Sequence, residues 1–584
     1  MDSAHANQFV AAEAYNNTAA AARDFPLGVQ VWQAACLNCH DTHTVSGSRR
    51  LLREGTDDVP AVGEVLKPGG GNSAIEETCY QCHSDSGYSY YALSGVNPEV
   101  PDIRTDFNLA YRMPITAVDG AGNEAHDIGN SGGDGDGKDF IESQSTLGKG
   151  NLLNRHAECT DCHNPHRVIK NRLATDNPAT PAAAGTHDHS GSSMHTNLIS
   201  GVLRGTWGVE PIYSSTAFNI LPSSYTVKRG VAPQGGSMTV TQSYVTREYQ
   251  VCLKCHSDYG FDDINPPALG YYTGGTPTGT NGVTHYTNQA MEFQAPVSHQ
   301  GEGSAAGTGA APAYSNNNHR GWHPVMGPTG RTAAVRSMDA SNFLAPWNDV
   351  SGTNVGNQTM YCSDCHGSDT AVGTVVPTGG EDGNPWGPHG SSNGFILKGQ
   401  WSNNTGYVQM GVFGTTQNDL CFKCHNWDDY ANPNNTNPGL SGFRDSTGAS
   451  LVGCAHVSID TSTRNLHTLH ANIANNTEGA YYSFGSTFAC TNCHAAVPHG
   501  WKNKALLVNL NDVGPEVGLP EGTVIDRYTD TNWVGDGYSN GPYYLNAKLY
   551  VVNFKQSGDW TEVDCGYQSS GGPFPMMGAC DSTP

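Results

Sequence analysis

Fourteen of the 17 cysteines in this 584-residue chain belong to seven copies of one pattern, Cys-x-x-Cys-His. We number the copies one to seven in chain order: Cys36–Cys39–His40, Cys79–Cys82–His83, Cys159–Cys162–His163, Cys252–Cys255–His256, Cys362–Cys365–His366, Cys421–Cys424–His425 and Cys490–Cys493–His494. Any fold for this chain must accommodate seven identical groups of two thiols and one imidazole.

The spacing within each motif is typical of covalent haem attachment, in which two thiols bond the vinyl groups at one porphyrin edge and the next histidine ligates the iron. Zinc ribbons also use Cys-x-x-Cys, but they need pairs of pairs and no histidine after the second cysteine. With 24 histidines in 584 residues, chance would place one after all seven pairs with a probability of roughly 10⁻¹⁰. The sequence therefore predicts seven haem c groups, with zinc sites and disulfides as the alternatives.

The composition predicts an irregular fold that such cofactors would stabilise. Only 37% of the residues are hydrophobic, whereas glycine contributes 71 residues and proline 32. A chain of this kind buries little apolar side-chain area to offset its folding entropy. We expect mostly coil with short helices near the motifs and few strands, wrapped around a continuous row of haems.

A second axial ligand decides what each haem can do, because a filled sixth position restricts it to electron transfer. Subtracting the seven motif histidines from 24 leaves 17 candidates, so we predict bis-histidine ligation. Local context favours His43, His166, His323, His389 and His499 most, then His156, His467, His470 and His126, and then His195, His285 and His299. His5 stands apart, because a ligand on a terminal arm could reach a haem of another copy of the chain.

Charge and hydropathy restrict the partners and the compartment. The formal net charge is −24, which disfavours nucleic acid and anionic membranes. No apolar run is long enough to span a bilayer, and no signal peptide is visible, so we interpret the chain as a mature exported form. Covalent haem attachment takes place outside the cytoplasm, so we predict a periplasmic, cell-surface or extracellular protein.

The motif positions suggest three regions. Residues 1–30 form an N-terminal arm that could contact another subunit, 31–504 carry the seven haems, and 505–584 form a haem-free, β-like extension. The alternation of apolar and polar residues over 541–560 predicts strand.

Two minor features remain. Cys565 and Cys580 are candidates for a disulfide, which leaves Cys454 unassigned. Asp134, Asp136 and Asp139 lie in a glycine-rich loop that is either a Ca²⁺ site or, more simply, a solvated turn.

The seven motifs, the CHNPH of His163–His166, and the phrases GWHPVMGPTGR, WGPHGS, NLHTLHA and VPHGW resemble the outer-surface multihaem cytochromes of metal-reducing bacteria. The likeness covers about residues 30–510 and is nearest to members that polymerise into extracellular filaments. It implies stacked haems that alternate between parallel and T-shaped pairs, bis-histidine ligation, and in some members a histidine donated by the next subunit. Seven haems departs from the four, six or eight of well-known filament cytochromes.

Three functions follow as hypotheses. The first is a polymeric conduit that carries electrons to external acceptors such as metal oxides, other cytochromes or cells. The second is a monomeric periplasmic or surface carrier. The third is a multihaem reductase with one open haem, although the Cys-x-x-Cys-Lys motif of pentahaem nitrite reductases is absent from the sequence.

Overall fold

The structure is a computed structural model of the 584-residue chain. It describes residues 3–41, 51–53, 74–84, 100–107, 109, 159–170, 173–177, 187, 189, 197–214, 221–259, 289–295, 320–329, 340–348, 355–377, 385–401, 416–432, 443, 465, 467–468, 489–510, 533–534, 537–538, 543–544 and 547–549. Several predicted features lie outside these residues: His43, His126, His156, His195, His285, His299, His470, the three aspartates of the calcium loop, Cys454, Cys565 and Cys580.

The regular elements of the described residues are short. The α-helices are α1 (Asn17–Ala22), α2 (Ala74–Tyr80), α3 (Ile103–Phe107), α4 (Cys159–Cys162), α5 (Tyr249–Cys252), α6 (Gln289–Glu292) and α7 (Trp427–Tyr430). The strands are β1 (Gly208–Ile212), β2 (Ser224–Lys228), β3 (Gly321–Trp322), β4 (Gly500–Trp501), β5 (Trp533–Val534) and β6 (Gly537–Tyr538). The described part of the chain is therefore dominated by turns and irregular backbone.

The strands pair as three antiparallel ribbons, β1 with β2, β3 with β4 and β5 with β6. In the second ribbon Gly321 is opposite Trp501, and Trp322 is opposite Gly500. This ribbon joins two segments that are far apart in the sequence, one after residue 320 and one after motif seven. It brings together the two phrases GWHP and PHGW.

All seven motifs adopt the same local turn. In each of them the backbone N–H of the histidine donates to the carbonyl oxygen of the first cysteine, four residues earlier, at 2.8–3.0 Å. This is the hydrogen bond of one α-helical turn. Some motifs lie in or at the end of a helix, as in α2, α4 and α5, and others begin a 3₁₀ helix, such as Cys362–Asp364 and Cys490–Asn492. The five-residue pattern is thus a single turn of helix that holds two thiols and an imidazole in fixed relation.

The apolar core is divided into small clusters beside the motifs. One cluster contains Tyr249, Trp347 and Trp386 and packs against the partly buried Cys362 and Cys424. A second cluster surrounds Trp501, and a third surrounds Tyr15. Each cluster is small because a chain with so few apolar residues cannot build one continuous core.

The N-terminal segment docks on its own chain rather than extending away from it. The Ser3 hydroxyl donates to the carbonyl oxygen of Pro165 at 2.6 Å, and Ala4 N–H donates to that of Val168 at 2.7 Å. Helix α1 follows this segment, and Asn16 caps it by accepting from Ala19 N–H at 2.8 Å. Residues 3–4 therefore contact the loop that follows motif three.

The described residues after 504 pack beside motif seven. Val508 N–H donates to the carbonyl oxygen of Cys493 at 2.8 Å, so this stretch belongs to the surroundings of motif seven. The strand predicted over 541–560 is not formed at the residues described there. Tyr543 and Tyr544 are adjacent and both fully buried, whereas consecutive residues of a half-buried strand alternate between core and solvent. Here the aromatic residues satisfy a core contact with Trp501 instead.

Candidate haem-binding site

Each of six motif histidines faces a histidine from outside the motifs. The ring centroids are 6.1 Å apart for His40 and His166, 6.3 Å for His83 and His5, 6.2 Å for His163 and His389, 6.2 Å for His366 and His499, 6.5 Å for His425 and His323, and 6.4 Å for His494 and His467. Two imidazoles that bind one metal through bonds of about 2.0 Å have centroids about 6.2 Å apart. The six separations match the space that a shared iron requires.

The ring orientations strengthen this match. The Nδ1–H of His163 donates to the carbonyl oxygen of Val202 at 2.8 Å, and that of His494 donates to Ala505 at 2.8 Å. His366 donates in the same way to Phe395 at 2.9 Å. Such a bond fixes the tautomer in which Nε2 has no proton and is left to ligate a metal.

The histidines that face the motif histidines are held in the same way. His5 Nδ1 donates to Pro165 O at 3.1 Å, and His323 Nδ1 donates to Pro498 O. His499 Nδ1 donates to a carboxylate oxygen of Glu292 at 2.5 Å. A donor fixed at Nδ1 on both sides of the gap is the arrangement expected of a bis-histidine site.

Burial keeps several of these rings neutral, as metal ligation requires. Burial, followed by the nearby His5, lowers the pKa of His83 to about 4. Burial also lowers the pKa of His163 to about 4, although its bond to Val202 acts in the opposite direction. The pKa values of His5 and His323 are lowered for the same principal reason.

Ring spacing alone does not make a site, as His187 and His189 demonstrate. Their centroids are also 6.2 Å apart. However, Nε2 of His187 lies 3.0 Å from the Ser363 hydroxyl oxygen, and Nε2 of His189 lies 3.0 Å from a carboxylate oxygen of Asp364. Their nitrogens are engaged with motif five rather than with each other. This pair was missed in the sequence, because its partners are more than 170 residues away.

His256 of motif four is placed by its backbone. Its N–H donates to the carbonyl oxygen of Cys252 at 2.9 Å, and its own carbonyl oxygen accepts from Gln289 N–H at 3.2 Å. The second bond attaches helix α6 directly to motif four.

The described residues include eight histidines outside the motifs. Six of them face motif histidines other than His256, and the remaining two, His187 and His189, bind Ser363 and Asp364.

The motif cysteines form a row in chain order. The thiol of Cys79 lies beside that of Cys159, that of Cys252 beside Cys362, and that of Cys421 beside Cys490, and in each pair these are the first cysteines of successive motifs. The neighbouring thiol, together with burial, raises the pKa of Cys159, Cys252 and Cys421 well above the ordinary value. These thiols stand where thioether sulfurs would be in a haem-loaded chain.

Between motifs one and two, three and four, and five and six, the second cysteine of the earlier motif is influenced by a cysteine of the next motif. Burial, and next the thiols of Cys79 and Cys82, raise the pKa of Cys39 to about 12. Burial raises the pKa of Cys162 to about 11, with Cys252 among the contributors, and that of Cys365 to about 12, with Cys421 among them. Thiols of successive motifs from one to seven therefore lie close enough to influence the pKa values of one another.

The alternatives to haem fit these residues less well. No disulfide joins any of the fourteen motif cysteines, all of which are described. Within the described residues, one cluster of metal-binding side chains places its donor atoms within 4.8 Å of one another, namely Glu248, Cys252 and Cys362. It has three donors rather than the four of a structural zinc site, and Glu248 already accepts two hydrogen bonds from Ser363.

Two carboxylates behind ligand histidines were not anticipated from the sequence. Glu292 accepts from His499, as described above, and a carboxylate oxygen of Asp106 lies 3.4 Å from Nδ1 of His389. Burial raises the pKa of Asp106, while His389 opposes that shift. Neither carboxylate is near a motif in the sequence, so no local signal could have identified them.

Within the described residues, none of the helices has the length and apolar character needed to cross a membrane. Comparison of the chain with known protein families, curated proteins and solved structures found no match.

Proposed function

We propose that this protein transfers electrons through seven covalently bound c-type haems held in chain order. The observation that carries the proposal is the set of six histidine pairs, each with a motif histidine on one side and a separation of 6.1–6.5 Å. A haem c supplies a ferric–ferrous couple when bound. The chain's own contribution is to attach, orient and bury each group.

Ligation from both faces favours electron transfer over catalysis. A histidine on each side leaves no coordination position for a substrate. Histidine rather than methionine as the second ligand also favours low midpoint potentials. These two features favour a carrier over a reductase at the six sites where both rings are described.

For motif four, we propose a second ligand from the histidines outside the described residues. The eight described non-motif histidines are all engaged elsewhere, as set out above. Nine non-motif histidines lie outside the described residues: the sequence candidates His43, His126, His156, His195, His285, His299 and His470, together with His319 and His456. Single replacements of these by alanine, scored for the appearance of one high-spin haem, would identify the ligand.

We propose that the electrons follow the chain order of the attachment sites. Motif one would then be one end of the path and motif seven the other, since cysteines of successive motifs raise the pKa values of one another. Electrons entering at either end would pass each site in turn. The acidic chain, with a formal net charge of −24, is suited to soluble or basic redox partners or to mineral surfaces rather than to nucleic acid.

Polymerisation into a filament is a further proposal, supported by the resemblance to filament cytochromes. The N-terminal segment adds one physical argument, since Phe9, Leu27 and Leu37 are 63%, 71% and 40% exposed. Apolar side chains on one end of a conduit favour contact with another copy. Electron micrographs of purified protein would show filaments, and a uniform field of single particles would reject this part of the proposal.

The principal experiment is the intact mass and spectrum of protein purified from the exported fraction. We expect the polypeptide mass plus seven haems, a low-spin spectrum, and no carbon monoxide binding in the native state. Cys362→Ala combined with Cys365→Ala should reduce the number to six. A bare polypeptide mass would reject the proposal, and carbon monoxide binding to the native protein would favour a reductase.

A further inference from the structure

The carboxylate behind His499 is unusual among the ring partners in this chain. Glu292 ends helix α6 and is fully buried. One of its oxygens accepts from Nδ1 of His499 at 2.5 Å, and the other accepts from the hydroxyl of Tyr543. Both carboxylate oxygens of Glu292 thus accept hydrogen bonds within the protein. They lie directly behind the ring of His499, which faces His366.

The other ring partners described above are neutral or more distant. His5, His163, His323, His366 and His494 all donate to backbone carbonyl oxygens. The one other carboxylate, Asp106, lies 3.4 Å from its histidine. Motif five therefore has the closest negative charge behind a ligand ring among the described sites.

The surrounding residues fix this contact and compensate its charge. The backbone of Gly500 passes so close to the Glu292 carbonyl oxygen that a Cβ there would overlap it. The ring of Phe293 lies 4.6 Å from that of His499. The buried guanidinium of Arg320 donates to the carbonyl oxygens of Met291 and Glu292, each at 2.6 Å. Burial lowers the pKa of the Arg320 guanidinium to about 10, and the nearby carboxylate of Glu292 is among the groups that oppose this shift.

We propose that Glu292 is a positioning residue that lowers the midpoint potential of the iron site of motif five through His499. The inference rests on the proposed function, since it requires an iron between His366 and His499. A charge-assisted bond at Nδ1 makes the imidazole a stronger donor through Nε2. The added negative charge stabilises the ferric state relative to the ferrous state. Reduction adds one electron from the titrant, and the Nδ1 proton stays within the hydrogen bond.

The test is a spectroelectrochemical titration, with dithionite as reductant, of three variants that keep all motif and ligand residues. Glu292→Gln removes the charge and should move one of the seven one-electron components to a more positive potential. We expect about a tenfold change in its equilibrium constant, or about 59 mV. Tyr543→Phe removes the hydroxyl that shares the carboxylate charge and should move the same component to a more negative potential.

Glu210→Gln is the matched control. Glu210 accepts from the hydroxyl of Tyr249 at 3.0 Å and from the side-chain amide of Gln250 at 2.6 Å, and its contacts include no histidine. The seven one-electron components of the Glu210→Gln variant should coincide with those of the parent protein. Loosening of the structure would move the Glu292→Gln and Tyr543→Phe components in the same direction, whereas a charge effect requires opposite directions.

The outcomes separate this inference from the proposed function. A parent protein without seven haems would reject the function itself. Seven haems with unchanged components in Glu292→Gln, or with shifts of the same sign in both variants, would reject the role of Glu292 and leave the function standing. Opposite shifts of a single component would establish it.

Discussion

The backbone N–H of His323 donates to the carbonyl oxygen of His499 at 2.9 Å. These residues flank the β3–β4 ribbon, and their rings face His425 of motif six and His366 of motif five. The proposed second ligands of motifs five and six are therefore fixed to each other by a backbone hydrogen bond. The spacing between these sites depends on the ribbon rather than on flexible side chains.

Replacing His323 by alanine should convert one haem of seven to high spin. Alanine provides no nitrogen opposite His425, while the backbone bonds of the ribbon do not depend on the side chain. Absorption and electron paramagnetic resonance spectra of the oxidised protein measure this change, and haem content should stay at seven. An entirely low-spin spectrum would remove His323 from the ligands.

His5 should act within its own chain. Its ring faces His83, and Ser3 and Ala4 anchor it to the loop after motif three. His5→Ala should therefore produce one high-spin haem at any protein concentration. A site shared between subunits would behave differently, because dilution of the parent protein would expose the same high-spin signal. Spectra recorded across a hundredfold dilution series distinguish the two arrangements.

Gly500→Ala should destabilise the protein and disturb His499. The new Cβ would overlap the Glu292 carbonyl oxygen and approach Cβ of Trp322 to 3.3 Å. Overpacking of this kind typically costs about 1–3 kcal/mol, so the thermal midpoint should fall. Gly28→Ala is the control, because no atom lies within 4 Å of its Cβ, although its φ of +75° adds backbone strain. A smaller fall for Gly500→Ala than for Gly28→Ala would contradict the close approach.

The sequence predicted the parts of this site that are local. The helical turn of each motif follows from five consecutive residues, and histidines such as His323 and His499 stood out because glycine and proline flank them. The pairing of the rings could not be predicted from the sequence, because His5 faces His83 and His467 faces His494 through contacts that only the folded chain defines. The same reason explains why Glu292 and His187 were missed. At Tyr543 and Tyr544, burial of both rings against Trp501 outweighs the local alternation that predicted a strand.

His187 offers a pH-dependent test of the junction between motifs four and five. Its ring is 4.0 Å from that of Trp386 and its Nε2 is 3.7 Å from a carboxylate oxygen of Glu248. Burial lowers its pKa below 6.5, although Glu248 opposes that shift. Above pH 6.5 both the folded and the unfolded chain hold this ring neutral. As the pH falls below 6.5 the unfolded chain takes up the proton first, so His187 makes the protein less stable in acid.

His187→Gln should therefore reduce the fall in thermal midpoint between pH 7 and pH 5. Glutamine keeps a polar group near Ser363 but does not titrate. Other groups that face His187, namely Asp364 and His189, remain in the variant, so the difference between variant and parent reports the lost titration alone. The variant should lose stability at pH 7, where a ring contact with Trp386 is missing, and approach the parent at pH 5. Parallel curves for the two proteins would show that burial does not oppose protonation of His187.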